Sequence, residues 1–131
     1  MKILVIEDEL QVAELIRRML EELGNRCLIA RDAATADRML GHETVDAVTL
    51  DLGMPGRSGL DWLEHIATAR PDLARRTLVI TGRELDALHV ERLARCGAGV
   101  LAKPFTLGAL EDAVRTQIAR TDAAARRGLP S

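Results

Sequence analysis

Tyrosine is absent from this sequence, and Trp62 and Phe105 are its sole aromatic residues. The stacking platforms that hold single-stranded nucleic acids are therefore missing. Positive charge is not in excess either: 18 Lys and Arg stand against 20 Asp and Glu. A net charge of −2 offers no broad field to a polyanion. No apolar run approaches the length of a membrane span, and the opening MKILVIEDE reaches three acids after only ILVI, too soon for a signal peptide. Cysteine is scarce as well. Cys27 and Cys96 stand alone, without CxxC or metal-ligand spacing. They read as two buried or half-buried thiols in a reducing cytoplasm, a structural disulfide being the minor alternative.

What is present is a globular composition, 47% hydrophobic over 131 residues, enough for one domain with a real core and too few for two. Short apolar runs alternate with amphipathic stretches, the signature of repeated βα units. Strands are expected at Ile3–Ile6, Arg26–Ala30, Val45–Leu50, Leu78–Ile80 and Val100–Ala102. Helices are expected near 10–23, 33–40, 59–69, 86–96 and 107–120. In the first, Leu10, Ala13, Ile16, Leu20 and Leu23 recur at three- and four-residue steps, and Gly24 stands where a C-terminal glycine should. Ser58 with Asp61 reads as a capping box, Thr106 as an N-cap, and Pro71 as a residue the third helix cannot pass. The fold class is α/β: a five-stranded parallel sheet with helices on both faces, a doubly wound three-layer sandwich over residues 1–120. Residues 121–131 read as a C-terminal tail or truncated linker, with no output domain.

The chemistry collects at one end of these strands. Glu7 and Asp8 follow the first apolar run, Asp51 follows VDAVTL, Thr81 ends LVIT and Lys103 follows VLA. In an open parallel sheet these ends line the crevice where ligands bind. Carboxylates gathered there repel one another and call for a cation, and hard oxygen donors suit Mg²⁺. An aspartate so held is ionised and competent as a nucleophile toward phosphorus. Lys103 then neutralises a transferring phosphoryl group and Thr81 donates to one of its oxygens.

Four segments in order, ILVIEDE, VDAVTLDLGMPGRSGLDWL, LVITG and AKPF, make the chain resemble a receiver domain of two-component response regulators, with the flavodoxin-like fold of the chemotaxis regulator. The resemblance implies that Asp51 is the phosphoacceptor, charged from a histidine kinase or phosphotransfer protein. It implies that Asp8 and Asp51 ligate Mg²⁺ through side chains, Gly53 through its backbone carbonyl and Glu7 through water. Thr81 and Lys103 are the groups that meet the phosphoryl oxygens, and the Lys103–Pro104 bond is cis. The output surface implied is residues 84–120, read by a downstream protein partner or by self-association, in the cytoplasm, with no direct nucleic acid and no membrane.

The sequence departs from the family at Val100 and in the stretch from Gly97 to Lys103, which is one residue short. Val100 stands where an aromatic ring usually switches, so signalling is expected to rest on Thr81, the loop after it and the fourth helix. Gly53 and Arg83, two residues beyond Asp51 and Thr81, are the positions expected to modulate phosphoryl lifetime. Two other classes compete. A haloacid-dehalogenase-like phosphatase also forms an aspartyl phosphate, but needs a second Asp where this chain has Gly53. A docking scaffold indifferent to phosphorylation is the alternative that Val100 favours and Asp8, Asp51 and Lys103 oppose.

Overall fold

The computed structural model describes residues 1–119 apart from 55, 57 and 83. In chain order the elements are β1 (Lys2–Ile6), α1 (Leu10–Glu22), β2 (Arg26–Ala30), α2 (Ala33–His42), β3 (Ala47–Leu50) and α3 (Gly59–Ala69). There follow α4 (Pro71–Arg75), β4 (Thr77–Thr81), α5 (Ala87–Cys96), β5 (Gly99–Ala102) and α6 (Leu107–Val114). The strands form one sheet in the order β2-β1-β3-β4-β5, every pair parallel. From β1 the chain winds out to β2, then returns past β1 to β3. That reversal opens a crevice between the tips of β1 and β3.

Parallel strands covered on both faces read as continuous apolar runs, and β3 and β4 are buried along their whole length. Side chains alternate between the faces. Leu4, Ile6, Val48, Leu50 and Val79 face a core closed by α2, α3, α4 and α5. Ile3, Val5, Ala47, Leu78 and Ile80 face a second core, closed by α1 and α6. Trp62 is fully buried in the first core, and its Nε1 donates to Asp37 Oδ1 at 2.8 Å, which ties α3 to α2. Cys27 is half-buried, Cys96 is buried, and both are free thiols. Burial pushes the Cys27 thiol up to about 11.

The capping residues do what their types predict. Ser58 Oγ accepts from Asp61 N and Thr106 Oγ1 from Ala109 N, each at 3.0 Å. Asp32 and Asp86 cap α2 and α5 in the same way. Gly24, two residues after α1, and Gly97, directly after α5, hold φ of 93° and 78°. Only glycine takes such angles without steric cost.

Most boundaries fall within a residue or two of the sequence reading, and several differ from it in telling ways. The strand expected at Val45–Leu50 begins at Ala47, because the Asp46 carboxylate turns back to accept from Lys2 N at 2.8 Å. The helix expected over 33–40 runs on to His42. Pro71 does end α3, yet it also opens the short α4 as its first residue, where the missing N–H costs nothing. The last helix is α-helical only to Val114 and then widens into a π-helical turn, Arg115–Ala119. That turn carries the Gln117 amide onto the carbonyls of Arg75 and Gly97, both at 2.6 Å. Residue 120 and the expected tail, 121–131, lie outside the described residues.

Gly41, in the last turn of α2, has no atom within 4 Å of where a Cβ would stand, and its φ is not positive. Gly41→Ala should therefore raise unfolding free energy by roughly 0.5–1 kcal/mol through helix propensity alone. Urea titration measures it directly; a loss would show that α2 is held more tightly at its end than its packing implies.

Candidate active site at the strand tips

Three backbone bonds carry the ladder one residue past the strands. Glu7 N donates to Ala30 O, Asp51 N to Ile6 O and Lys103 N to Thr81 O, each at 3.0 Å. Glu7, Asp51 and Lys103 are thus held in sheet geometry at its C-terminal edge, and Thr81 is the last residue of β4. Glu7 and Thr81 are almost fully buried, and Asp51 keeps 9% of its surface open to solvent.

Oxygens of Glu7, Asp8 and Asp51 lie within 4.8 Å of one another, close enough to share a cation. Burial pushes the Glu7 carboxyl up to about 7, and the nearby Asp51 charge adds to the rise. The Lys103 ammonium opposes both, donating to Glu7 Oε2 at 3.0 Å. Among the described residues the three crowded carboxylates have one lysine at hand, Lys103 on Glu7, and their hard oxygen donors fit Mg²⁺. This donor set satisfies the requirement on its chemistry.

Gly53 approaches Asp51 through its amide, which donates to Asp51 Oδ1 at 3.2 Å and fixes the carboxylate's orientation. A Cβ at Gly53 would stand 3.7 Å from both Asp51 carboxylate oxygens, so this glycine leaves that flank of the carboxylate open. Gly59 sets the other wall. A Cβ there would fall 2.7 Å from Asp51 O and 2.9 Å from Leu52 Cα, so only glycine lets α3 come this near Asp51. Val100 lies in β5, opposite Val79, and is 48% exposed. Arg83 lies outside the described residues. The Lys103–Pro104 peptide is cis.

Two groups at or near this edge escaped the sequence reading. Arg31, the first residue beyond β2, sends its Nε and one terminal nitrogen to the Asp8 carbonyl at 3.3 and 3.1 Å. The rule that found the other four tips, a polar residue closing an apolar run, would have found Arg31 had it been applied to the fifth strand. Arg92 is the second. It crosses from α5 to Asp61 and Glu64 of α3, and spacing along the chain carries no sign of it.

Residues 3–115 match the family model for the response regulator receiver domain. Response regulator protein PmrA of Pseudomonas aeruginosa is 34% identical over 121 residues, covering 92% of this chain and 54% of that protein. The chain spans about half the length of the curated relatives it matches. A response regulator receiver domain protein from Clostridium thermocellum superposes with a TM-score of 0.80 at 31% identity, covering 93% of this chain and 97% of that one. Response regulator TrrA of Thermotoga maritima, solved in complex with Mg²⁺ and BeF, superposes at 0.77 with 25% identity, covering 88% and 97%. Receiver domains accept a phosphoryl group on an aspartate in the presence of Mg²⁺, and the strand-tip carboxylates provide a matching chemistry. By its motifs, its sheet order and its relatives, this chain belongs to the response regulator receiver domain family of two-component signalling.

Proposed function

We propose that Asp51 is the phosphoacceptor of this domain, charged by the phosphohistidine of a histidine kinase or phosphotransfer protein. The observation that carries the reading is the convergence of Glu7, Asp8, Asp51, Thr81 and Lys103 on one sheet edge, with Asp51 the acid at its switch point. A carboxylate oxygen of Asp51 attacks phosphorus, the donor's P–N bond breaks, and its electron pair leaves with the imidazole. The Gly53 amide holds the carboxylate in place for that attack. Lys103, paired with Glu7 before transfer, turns its ammonium to the arriving phosphoryl oxygens, and the Thr81 hydroxyl donates to another. Asp8 and Asp51 would hold Mg²⁺ by their side chains, Gly53 by its carbonyl and Glu7 through water. The ion supplies electrostatic stabilisation of the phosphoryl oxygens. The domain catalyses its own phosphorylation and dephosphorylation and no other turnover.

The acyl phosphate adds roughly two negative charges at the sheet edge. The response is read from residues 84–120, where Leu88, Val90 and Val100 are 60%, 53% and 48% exposed. Such apolar exposure on α5 and β5 suits a protein partner or a second copy of the domain. The reading gives the domain no nucleic-acid contact of its own and places it in the cytoplasm. No described helix is long and apolar enough to cross a membrane. Arg83 and the open flank at Gly53 modulate how long the phosphoryl group survives. The competing scaffold reading, indifferent to phosphate, keeps one support, the exposed aliphatic Val100 where a ring would switch.

Incubation with Mg²⁺ and acetyl phosphate, followed by intact mass, tests the assignment: a labile phosphate increment is expected. No increment, with a kinase tried as well, leaves the scaffold. Metal binding has its own readout. Mg²⁺ relieves the repulsion among Glu7, Asp8 and Asp51, so at a hundredfold excess over its Kd it should add about 2.7 kcal/mol of stability. A thermal midpoint unmoved by Mg²⁺ and by EDTA would remove the ion from the reading.

A further inference from the structure

Helix α5 is lightly anchored. Leu93 and Cys96, both in its second half, are its buried residues, while Leu88 and Val90 in its first half face solvent. Helix α3, by contrast, buries Gly59, Leu60, Trp62, Leu63 and Ile66. Between the two helices stands one guanidinium. Arg92 Nε donates to Glu64 Oε2 at 2.9 Å, and a terminal nitrogen of the same fork reaches Glu64 Oε1 and Asp61 Oδ1, the latter at 3.0 Å. The pairing spans 28 and 31 residues of chain, so it links elements and does not merely support a helix.

An ion pair on a surface contributes little to global stability. Its worth here is positional. A bidentate fork fixes both distance and orientation, which a pair of buried apolar side chains does not. The partner element is also fixed with respect to the acceptor, because α3 starts at Gly59, pressed against Asp51 O.

We propose that the Arg92 fork to Asp61 and Glu64 is a latch that holds α5 in its unphosphorylated position, and that phosphorylation at Asp51 works against it. The proposal rests on the reading of Asp51 as phosphoacceptor. With aliphatic Val100 on β5, the position of α5 is the variable that partners read, and Arg92 sets its resting value. Unlatched, α5 is restrained chiefly by Leu93 and Cys96, and the exposed Leu88 and Val90 move with it.

The test compares the wild-type domain with Arg92→Ala and with the isosteric pair Asp61→Asn/Glu64→Gln, which keeps the helices' shape if the alanine variant folds poorly. Amide spectra are recorded without phosphate and with Mg²⁺ and beryllofluoride. Without phosphate, both variants should place the amides of residues 87–96 part-way along the line joining the two wild-type states. Their phosphorylation by acetyl phosphate should quicken about three- to tenfold, as expected when a minor competent state becomes more populated. Combining the two variants should add nothing beyond either, since both remove one interaction. Raising salt to roughly 0.5 M should move the wild type the same way and leave Arg92→Ala in place. Amides that stay at wild-type positions, or depart from that line, overturn the latch, as does an unchanged rate. A wild-type domain that takes no phosphate is a different result and ends the phosphoacceptor reading itself.

Discussion

Asp51→Asn should abolish the labile phosphate increment altogether while leaving the fold intact. The substitution removes the attacking oxygen but keeps the shape of the side chain and one acceptor for the Gly53 amide. It also removes a charge from a crowded site. Asp51 is one of the groups that push the Glu7 carboxyl upward, so the asparagine variant should be the more stable protein without metal, by roughly 1 kcal/mol or somewhat more. Two measurements with opposite signs thus come from one substitution: phosphate uptake falls to nothing and the metal-free thermal midpoint rises. A residual increment of the same lability in Asp51→Asn would move the acceptor to another acid. A lower midpoint would mean that Asp51 is compensated by something other than a cation, and the account of Glu7 would fall with it.

Gly59→Val should destabilise the domain severely, by about 1–3 kcal/mol from overpacking and more if the backbone cannot shift. Glycine is normally the poorest of ordinary residues inside a helix, so replacing it ought to help. The contact reverses the sign. A Cβ at this position meets main-chain atoms, Asp51 O at 2.7 Å and Leu52 Cα at 2.9 Å, and main chain does not rotate away as a flexible side chain does. Either α3 retreats from the sheet, opening a gap beside fully buried Trp62 and Leu63, or the Asp51 peptide itself moves. Both outcomes displace Asp51, so phosphate uptake should slow together with the loss of stability. The fluorescence of Trp62, the one tryptophan, reports the packing at the same time. Urea midpoints matching the wild type would show that α3 sits more loosely on Asp51 than the contacts indicate. Gly41→Ala is the control, a helical glycine with open space around it and the opposite expected sign.

Much of this was legible in the chain because parallel sheets leave a strong trace. Strands buried on both faces produce runs such as ILVI and LVIT, and a polar residue ending such a run marks the edge where ligands collect. Asp51, Thr81 and Lys103 could be placed this way before any coordinates. Helix ends were legible where a side chain closes them, as at Ser58 and Thr106. The failures have one physical origin: they depend on partners far away in sequence. Helix α6 stops being α-helical at Arg115 where Gln117 reaches Arg75 and Gly97, some 42 and 20 residues distant. Asp46 gives Lys2, 44 residues away, its carboxylate as well as its backbone amide. Arg92 reads as one more charge on a solvated helix until α3 is seen beside it. Gly59 reads as the first residue of a capped helix, and nothing local announces that a Cβ there would meet the Asp51 carbonyl.

The division of the interior into two cores has a consequence for how the chain is made. Leu4 and Ile6 look toward helices that are all synthesised by Cys96, while Ile3 and Val5 look toward a layer completed by Leu110 and Ile118. A chain emerging from the ribosome can therefore close one side of its sheet well before the other. Until the last two turns appear, the α1 side carries an open apolar strip along β1, β3 and β4, the kind of transient surface that invites association. A boundary drawn a few residues before Ile118 would leave part of that strip uncovered in the finished domain.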